Sequence, residues 1–130
     1  MAERMPFTLE KRALSFRYAW RGFVHVVRSQ HNSWIHALAT VVVLLAGFLA
    51  GVSRLDWALL LLAMVAVWSA EALNTAVETL GDAVAPHDNK LVGIAKDVAA
   101  GAVLIAALGS VGIAGLVFSP HLARLVRGAW

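Results

Sequence analysis

The 130-residue chain contains no cysteine and few charged residues, and both scarcities narrow what it can be. Without cysteine it forms neither disulfide bonds nor thiolate metal sites. Only 15% of its residues are charged, whereas 60% are hydrophobic, above the apolar share of about half that is usual in soluble domains. The sequence also lacks a His-x-x-x-His pair, a Gly-x-x-x-x-Gly-Lys-Ser/Thr loop, a Gly-x-Gly-x-x-Gly motif and internal repeats, and we expect no signal peptide because the first 30 residues contain no continuous apolar stretch. With a mean hydropathy of +0.74, the composition predicts a membrane protein with a single domain over residues 1–130.

The N-terminal third carries most of the positive charge and is patterned as a helix. From about residue 9 to residue 30, apolar residues recur at helical spacing and fall within an arc of roughly 100°. Because basic residues lie on the neighbouring side, we expect an amphipathic helix at the membrane interface, contacting anionic lipid headgroups rather than nucleic acid. A soluble helix packed on a core is the alternative, but the chain has little soluble core to offer. The basic residues are Arg17, Arg21, His25 and Arg28.

Three long apolar segments follow, and each is long enough to cross a bilayer. These spans are predicted at about 34–52, 55–80 and 97–118, with short connections between them. Six Lys and Arg residues precede the first span and two flank the second loop, against three on the opposite side. The positive-inside rule then predicts that the N-terminus and the second loop are cytoplasmic. The expected fold class is all-α integral membrane, with a surface helix and three transmembrane helices.

Three polar residues continue the second apolar segment. Glu71, Asn74 and Glu78 follow fourteen apolar or small residues, and they share one face because Asn74 lies roughly 60° and Glu78 roughly 20° from Glu71 around the helix. Counted from Trp57, Glu71 lies about 21 Å along the axis, within a hydrocarbon layer about 30 Å thick, and Glu78 lies about 10 Å further on. Ionisable residues inside a membrane segment usually mark function, although hydrogen bonds between spans would also explain Glu71 and Asn74.

The second loop, at about 81–95, and the start of the third span add charges near this face. Asp82 lies roughly 20° from the Glu71 direction. Lys96 and Asp97 open the third span, where a helix N-terminus and a lysine suit phosphate and a carboxylate can meet a metal. A solvated loop residue and an ordinary interfacial ion pair are the alternatives for these positions. Metal-binding carboxylates, a cation for phosphate and a carboxylate that accepts a hydroxyl proton together predict phosphoryl transfer without a P-loop.

The chain contains the segments Glu71-Ala-Leu-Asn74-Thr-Ala-Val-Glu78 and Ile94-Ala-Lys96-Asp97-Val-Ala-Ala-Gly101-Ala. Together these two segments resemble the prokaryotic diacylglycerol kinase family, which includes the undecaprenol kinases of Gram-positive bacteria. The resemblance extends over nearly the whole chain, from the N-terminal helix to the third span. It implies an ATP-dependent lipid kinase of the bacterial cell membrane that uses Mg²⁺ and forms a homotrimer, with active sites shared between neighbouring subunits on the cytoplasmic side.

The resemblance also implies roles for individual residues. Glu71 matches the catalytic base, Asn74 the asparagine beside it, and Glu78 a metal-binding glutamate at the ATP site. Gln30 replaces a glutamate that commonly joins Glu78 in holding Mg²⁺, and its carbonyl can still bind a hard cation, but without charge. We therefore expect Gln30 to weaken Mg²⁺ binding without abolishing it. The other positions that match the nucleotide site are Lys11, Tyr18, Asp82, Gly93, Lys96 and Asp97.

The sequence predicts the type of reaction more specifically than it predicts the lipid substrate. His36 and the loop around Pro86 look more like the undecaprenol-type branch, so undecaprenol is the expected substrate and diacylglycerol is the alternative. Asn89 stands where a histidine is usual in the family, with His87 two residues earlier. A non-enzymatic three-span scaffold or proton channel is a further alternative. It would explain the carboxylate in the membrane segment, but not the charges at the start of the third span.

Overall fold

The computed structural model describes residues 8–29, 31–87 and 89–128, and within these ranges the chain forms α-helices and no β-strand. Three of the helices are long and apolar enough to cross a membrane. The all-helical fold class and the three apolar helices that the sequence predicts are therefore confirmed, while Gln30 lies outside the described residues. The helices are α1 (Leu9–Ser29), α2 (His31–Ala50), α3 (Arg54–Val84) and α4 (Lys90–Gly128).

The third helix, α3, is the centre of the bundle because its buried residues recur along one side for most of its length. α2 and α4 both run antiparallel to α3, and polar side chains link each of them to it. Trp68 Nε1 of α3 donates a hydrogen bond to Thr40 Oγ1 of α2 (3.1 Å), and Ser110 Oγ of α4 donates to the Ala63 carbonyl of α3 (3.1 Å). Such bonds fix neighbouring helices in an apolar surrounding. The buried residues of α3 are Leu60, Ala63, Val67, Glu71, Asn74, Thr75 and Gly81.

Large apolar side chains cover the outer surfaces of α2 and α4. Leu49 of α2 is 89% exposed and Leu116 of α4 is 79% exposed, and many leucine, isoleucine and valine side chains around them are more than half exposed. Such surfaces would be unfavourable in water, where large exposed apolar patches mark contacts with lipid or protein. They suit the hydrocarbon layer of a bilayer, where an α-helix also satisfies its backbone hydrogen bonds internally.

A tight turn joins α2 to α3. Gly51 has a φ of +62°, and the N–H of Val52 donates to the Gly47 carbonyl (3.2 Å), which is the helix-ending arrangement that favours glycine. Ser53 then caps α3, because its hydroxyl oxygen accepts a hydrogen bond from the Asp56 N–H (3.2 Å) while the Asp56 carboxylate accepts one from the Ser53 N–H (3.0 Å). This reciprocal capping box fixes where α3 begins.

The connection between α3 and α4 is shorter than the sequence predicts. The prediction of a loop at about 81–95 is wrong, because α3 extends four residues into it and α4 begins at Lys90. Asn89 Oδ1 accepts a hydrogen bond from the Leu91 N–H (3.0 Å), so the free N–H groups of the helix start lie here and not at Lys96. The apolar sequence that indicates the membrane span is shorter than the helix that contains it. The helix continues outside the membrane because a capped helix end is also stable in a polar environment.

Candidate active site

A cleft of about 290 Å³ opens between α2, α3 and α4. Glu71, Asn74 and Glu78 line its α3 side, so they lie on one face as their spacing predicts. The α4 wall is made of small and apolar side chains, which leave room beside the carboxylates and keep the surroundings apolar. The other lining residues are Asn32, Ile35 and His36 of α2 and Ala100, Val103, Leu104 and Ala107 of α4.

Glu71 is 1% exposed, and its two carboxylate oxygens have different surroundings. Ser33 Oγ lies 3.3 Å from Glu71 Oε1 and 3.0 Å from the Val26 carbonyl, so it links α3 to the end of α1. Among the described residues, neither Glu71 Oε2 nor His36 Nε2 has a hydrogen-bond partner. These two atoms are 3.9 Å apart, too far to bond each other directly. An oxygen atom beside the gap can lie about 2.8 Å from both, which is ideal for two hydrogen bonds.

His36 and Ser33 belong to this site, although the sequence analysis did not place either of them there. The His36 ring meets the Trp68 ring edge-on, with centroids 6.4 Å apart, and this contact helps to aim the imidazole at Glu71. The signal that could have found them is a polar stripe on α2. Ser33, His36 and Thr40 recur at helical spacing in an otherwise apolar segment, by the same logic that singles out Glu71.

Asn74 and Glu78 line the cleft next to Glu71, and Glu78 is half-buried whereas Asn74 is buried. Asn74 Nδ2 donates to Glu78 Oε1 (3.0 Å), while the buried Asn74 Oδ1 has no hydrogen-bond partner among the described residues. Within those residues no three His, Asp or Glu side chains are close enough to hold a metal by themselves. Mg²⁺ nevertheless binds readily through one or two protein oxygens when phosphates and water supply the rest. The carboxylate and amide oxygens here therefore fit a Mg²⁺ ion that arrives with a nucleotide.

An ion pair between Asp82 and Lys96 continues the polar face along the seam of α3 and α4. The Lys96 ammonium contacts the Asp82 carboxylate, and the lysine stem lies over Gly81. A Cβ atom at Gly81 would come within 2.9 Å of Lys96 Cε and of Val92 Cγ1, so glycine permits the close approach of the two helices. The sequence predicts that Lys96 attracts phosphate at a helix start. In the structure Lys96 lies in the second turn of α4 and is paired with a carboxylate.

The remaining predicted nucleotide residues lie outside the cleft. Gly93 and Asp97 are exposed in the first turns of α4, where the Gly93 N–H donates to the Asn89 carbonyl (2.9 Å). Lys11 and Tyr18 are exposed on α1, and neither of them lines the cleft. The structure thus brings the α3 residues together with α4, but it does not bring the α1 residues to the cleft of the same chain.

Comparisons with known proteins agree on one family. The sequence model of prokaryotic diacylglycerol kinase matches residues 17–118, a range that contains every residue lining the cleft. An undecaprenol kinase from Bacillus subtilis is 39% identical over 108 residues, which are 83% of this chain and 88% of the relative. A diacylglycerol kinase from Synechocystis sp. is 40% identical over 114 residues, which are 87% of this chain and 65% of the relative.

Proposed function

Because the chain belongs to the prokaryotic diacylglycerol kinase family and is therefore a lipid kinase, we propose that it transfers the γ-phosphoryl group of ATP to the hydroxyl group of undecaprenol. Both relatives are named as kinases, which supports an enzyme over the scaffold or proton channel that the residues left open. The observation that carries the proposal is the gap between Glu71 Oε2 and His36 Nε2 in an otherwise apolar cleft. A lipid hydroxyl completes this pair because it donates one hydrogen bond and accepts another.

In the proposed reaction, Glu71 Oε2 accepts the proton of the lipid hydroxyl while the Nε2–H of His36 holds the hydroxyl oxygen. That oxygen forms a bond to the γ-phosphorus as the bond to the β–γ bridging oxygen breaks, and ADP leaves with the electron pair. Ser33 holds the other oxygen of Glu71 in place. Phosphoryl transfer needs little covalent help from a protein, so positioning and charge neutralisation supply most of the rate enhancement.

A narrow apolar groove supports undecaprenol as the substrate. The groove encloses about 260 Å³ between α2, α3 and α4, and it shares Ile35, His36 and Ala107 with the cleft. Apart from His36, its only polar lining residues are Thr40 and Ser110, whose hydroxyl groups bond to backbone carbonyls. We propose that the first isoprene units of a single hydrocarbon chain lie along this groove, with the hydroxyl group at Glu71. Undecaprenol has one chain of this kind, whereas diacylglycerol carries two.

We assign ATP to the other end of the polar face, at the seam of α3 and α4. Glu78 and the Asp82–Lys96 pair lie along this seam, with Gly93 and Asp97 on the adjoining turns of α4. A nucleotide phosphate competes with Asp82 for the Lys96 ammonium, so the ion pair keeps the cation in place until ATP arrives. Lys11, Tyr18 and Gln30 are proposed to complete this site.

Among the described residues, the Glu78 carboxylate and Asn74 Oδ1 are the oxygen ligands that fit Mg²⁺. Gln30 is proposed as a further ligand. When bound, Mg²⁺ supplies positive charge against the phosphate oxygens. Glu78 contributes its negative charge to that ion, and Asn74 holds the Glu78 carboxylate toward the cleft. A glutamine at position 30 adds an oxygen but no charge, so binding of the metal rests mainly on Glu78 and the nucleotide.

A homotrimer in the bacterial cell membrane would bring α1 of one subunit to the cleft of another. A hollow of about 680 Å³ between α1 and α3 supports this arrangement, because small residues such as Ala19, Gly22, Ala72 and Ala76 line it. Small residues let a helix of a second subunit approach closely. The basic residues of α1 suit the headgroup region of the cytoplasmic leaflet, which supports an ATP site on the cytoplasmic side.

Turnover of labelled ATP by the purified protein in bilayers tests the proposal. The bilayers contain either undecaprenol or diacylglycerol, and each is assayed with and without Mg²⁺. We expect kcat/KM for undecaprenol to exceed that for diacylglycerol by about tenfold or more, the scale of discrimination that an apolar pocket achieves. Equal or faster phosphorylation of diacylglycerol would assign the enzyme to that lipid instead.

A further inference from the structure

The last ten residues of α4 extend beyond the part of the chain that the family model matches. The match ends at Phe118, whereas α4 continues to Gly128. At 1.5 Å per residue the 39-residue helix is about 58 Å long, nearly twice the roughly 30 Å thickness of a hydrocarbon layer. Val117 packs with Val52 beside the α2–α3 turn, so residues 119–128 lie at the turn end of the α2–α3 hairpin, near Leu49 and Ala50.

This C-terminal segment, residues 119–128, has one basic side and one apolar side. His121, Arg124 and Arg127 fall within an arc of about 120° around the helix, and three apolar residues fall within about 100° on the other side. The apolar residues are 60–70% exposed. A helix with an exposed apolar face beside a basic face is typical of a membrane interface. The apolar residues are Leu122, Leu125 and Val126.

A pocket of about 430 Å³ lies between this segment and the end of α2. Leu49 and Leu125 give it apolar walls, while His121 and Arg124 give it basic ones. Arg124 Nε donates to the Pro120 carbonyl (3.4 Å), which leaves its terminal NH₂ groups for another acceptor. His121 Nδ1 lies 3.0 Å from the Val117 carbonyl, so its Nε2 is directed away from the helix backbone.

Few negative charges in the structure compete for these cations. Among the described residues, Arg124 takes part in no ion pair within 4.0 Å. Asp56 is the carboxylate that interacts electrostatically with His121, and its Oδ2 accepts hydrogen bonds from both the Ser53 N–H (3.0 Å) and the Ser53 hydroxyl (2.7 Å), which hold it at the start of α3. The pocket therefore combines unsatisfied basic groups with an apolar wall, which matches a phosphate group attached to a hydrocarbon chain.

We propose that this pocket binds the headgroup of an anionic phospholipid in the leaflet opposite the phosphorylation site. The phosphate lies against Arg124 and His121, and an acyl chain lies against Leu49 and Leu125. The bound lipid is not a substrate, because Ala107 of the Glu71 cleft lies fourteen residues before His121, about 21 Å away along α4. The site is independent of which lipid the kinase phosphorylates.

Native mass spectrometry of the full chain, released from bilayers of equal phosphatidylcholine and phosphatidylglycerol, tests the proposal. We expect the wild-type protein to retain phosphatidylglycerol in preference to phosphatidylcholine. Arg124→Gln is expected to lower that preference by about fivefold, the contribution of one arginine near an anionic membrane surface. Arg54→Gln is the matched control, because Arg54 is exposed at the same end of the bundle but does not line the pocket.

Arg124→Lys keeps the charge, so it is expected to retain most of the preference for phosphatidylglycerol. Kinase turnover in phosphatidylcholine bilayers reports whether each variant is folded. Equal losses from Arg54→Gln and Arg124→Gln would overturn the proposal, since general surface charge would then account for the retention. The absence of any preference for phosphatidylglycerol would overturn it as well. If soluble polyphosphate bound the detergent-solubilised protein as tightly as phosphatidylglycerol does, the ligand would be a soluble polyanion, and the assignment to a lipid would be wrong.

Discussion

At the scale of single residues, the feature to explain is a buried carboxylate with one unpartnered oxygen. Leaving a buried polar group without a hydrogen bond costs about 1–3 kcal/mol, and more when the group is charged. Glu71 Oε2 and His36 Nε2, which are 3.9 Å apart, both have this penalty. Their arrangement makes sense if a substrate hydroxyl supplies the missing partner for both. We therefore interpret His36 as a positioning residue for the lipid hydroxyl.

Replacing His36 tests this interpretation. His36→Leu removes the Nε2–H donor, and losing one neutral hydrogen bond of about 1–1.5 kcal/mol should lower kcat/KM for the lipid roughly five- to tenfold. The KM for ATP should stay the same, and His36→Gln, which keeps an N–H donor, should recover part of the loss. His87→Leu, in the connection between α3 and α4, is the control, because His87 is exposed and does not line the cleft. A rise in the KM for ATP alone would contradict the assignment.

At the scale of helices, the sequence predicts what lies in the membrane better than what lies outside it. Apolar runs define α2, α3 and the middle of α4, because hydrocarbon requires both apolar side chains and helical backbone. The start of α4 could not be read from hydropathy, since it depends on the cap at Asn89 and not on the edge of the bilayer. The spacing of Glu71, Asn74 and Glu78 predicts one polar face, but Ser33 and His36 join that face only through the packing of α2 on α3.

α3 and α4 approach each other closely at Gly81, and this makes a test possible at the scale of helices. Gly81→Ala places a methyl group within 2.9 Å of Val92 and Lys96, so it should destabilise the hairpin by about 1–3 kcal/mol and raise the KM for ATP. Gly109→Ala is the matched control, because a Cβ atom there meets no atom within 4 Å. Because alanine has a higher helix propensity than glycine, Gly109→Ala should leave the stability of the protein unchanged or slightly raise it. Thermal unfolding in detergent measures both, and equal midpoints for the two variants would refute the close approach.

At the scale of the whole molecule, one chain does not bring all the predicted site residues together. Glu71 and Glu78 line the cleft between α2, α3 and α4, whereas Lys11 and Tyr18 are exposed on α1 and do not line it. Much of the apolar surface is also exposed in the single chain. Both observations support an assembly in which α1 of one subunit completes the site of its neighbour. The sequence alone could not supply this geometry, because apolar residues that face lipid and those that face another subunit look alike.

Mixing of inactive subunits tests the shared site. Glu71→Gln removes the proposed base and Tyr18→Ala removes a proposed nucleotide contact, so each variant alone should have little activity. If the two residues of one site come from neighbouring subunits, random assembly of equal amounts leaves about one quarter of the sites intact. Co-refolded mixtures should therefore recover about a quarter of wild-type turnover by this count. No recovery in mixtures that form trimers by native mass spectrometry would place each site within one chain.

The most direct measurement is the turnover of labelled ATP by Glu71→Gln in undecaprenol-containing bilayers with Mg²⁺. Glutamine keeps the shape of the side chain but cannot accept the hydroxyl proton, so we expect a loss of about 10²–10⁴-fold in kcat, the usual contribution of a general base. The KM for ATP should stay near the wild-type value, and Glu10→Gln, an exposed glutamate on α1, should retain full activity. Turnover by Glu71→Gln close to that of the wild-type protein would contradict the account.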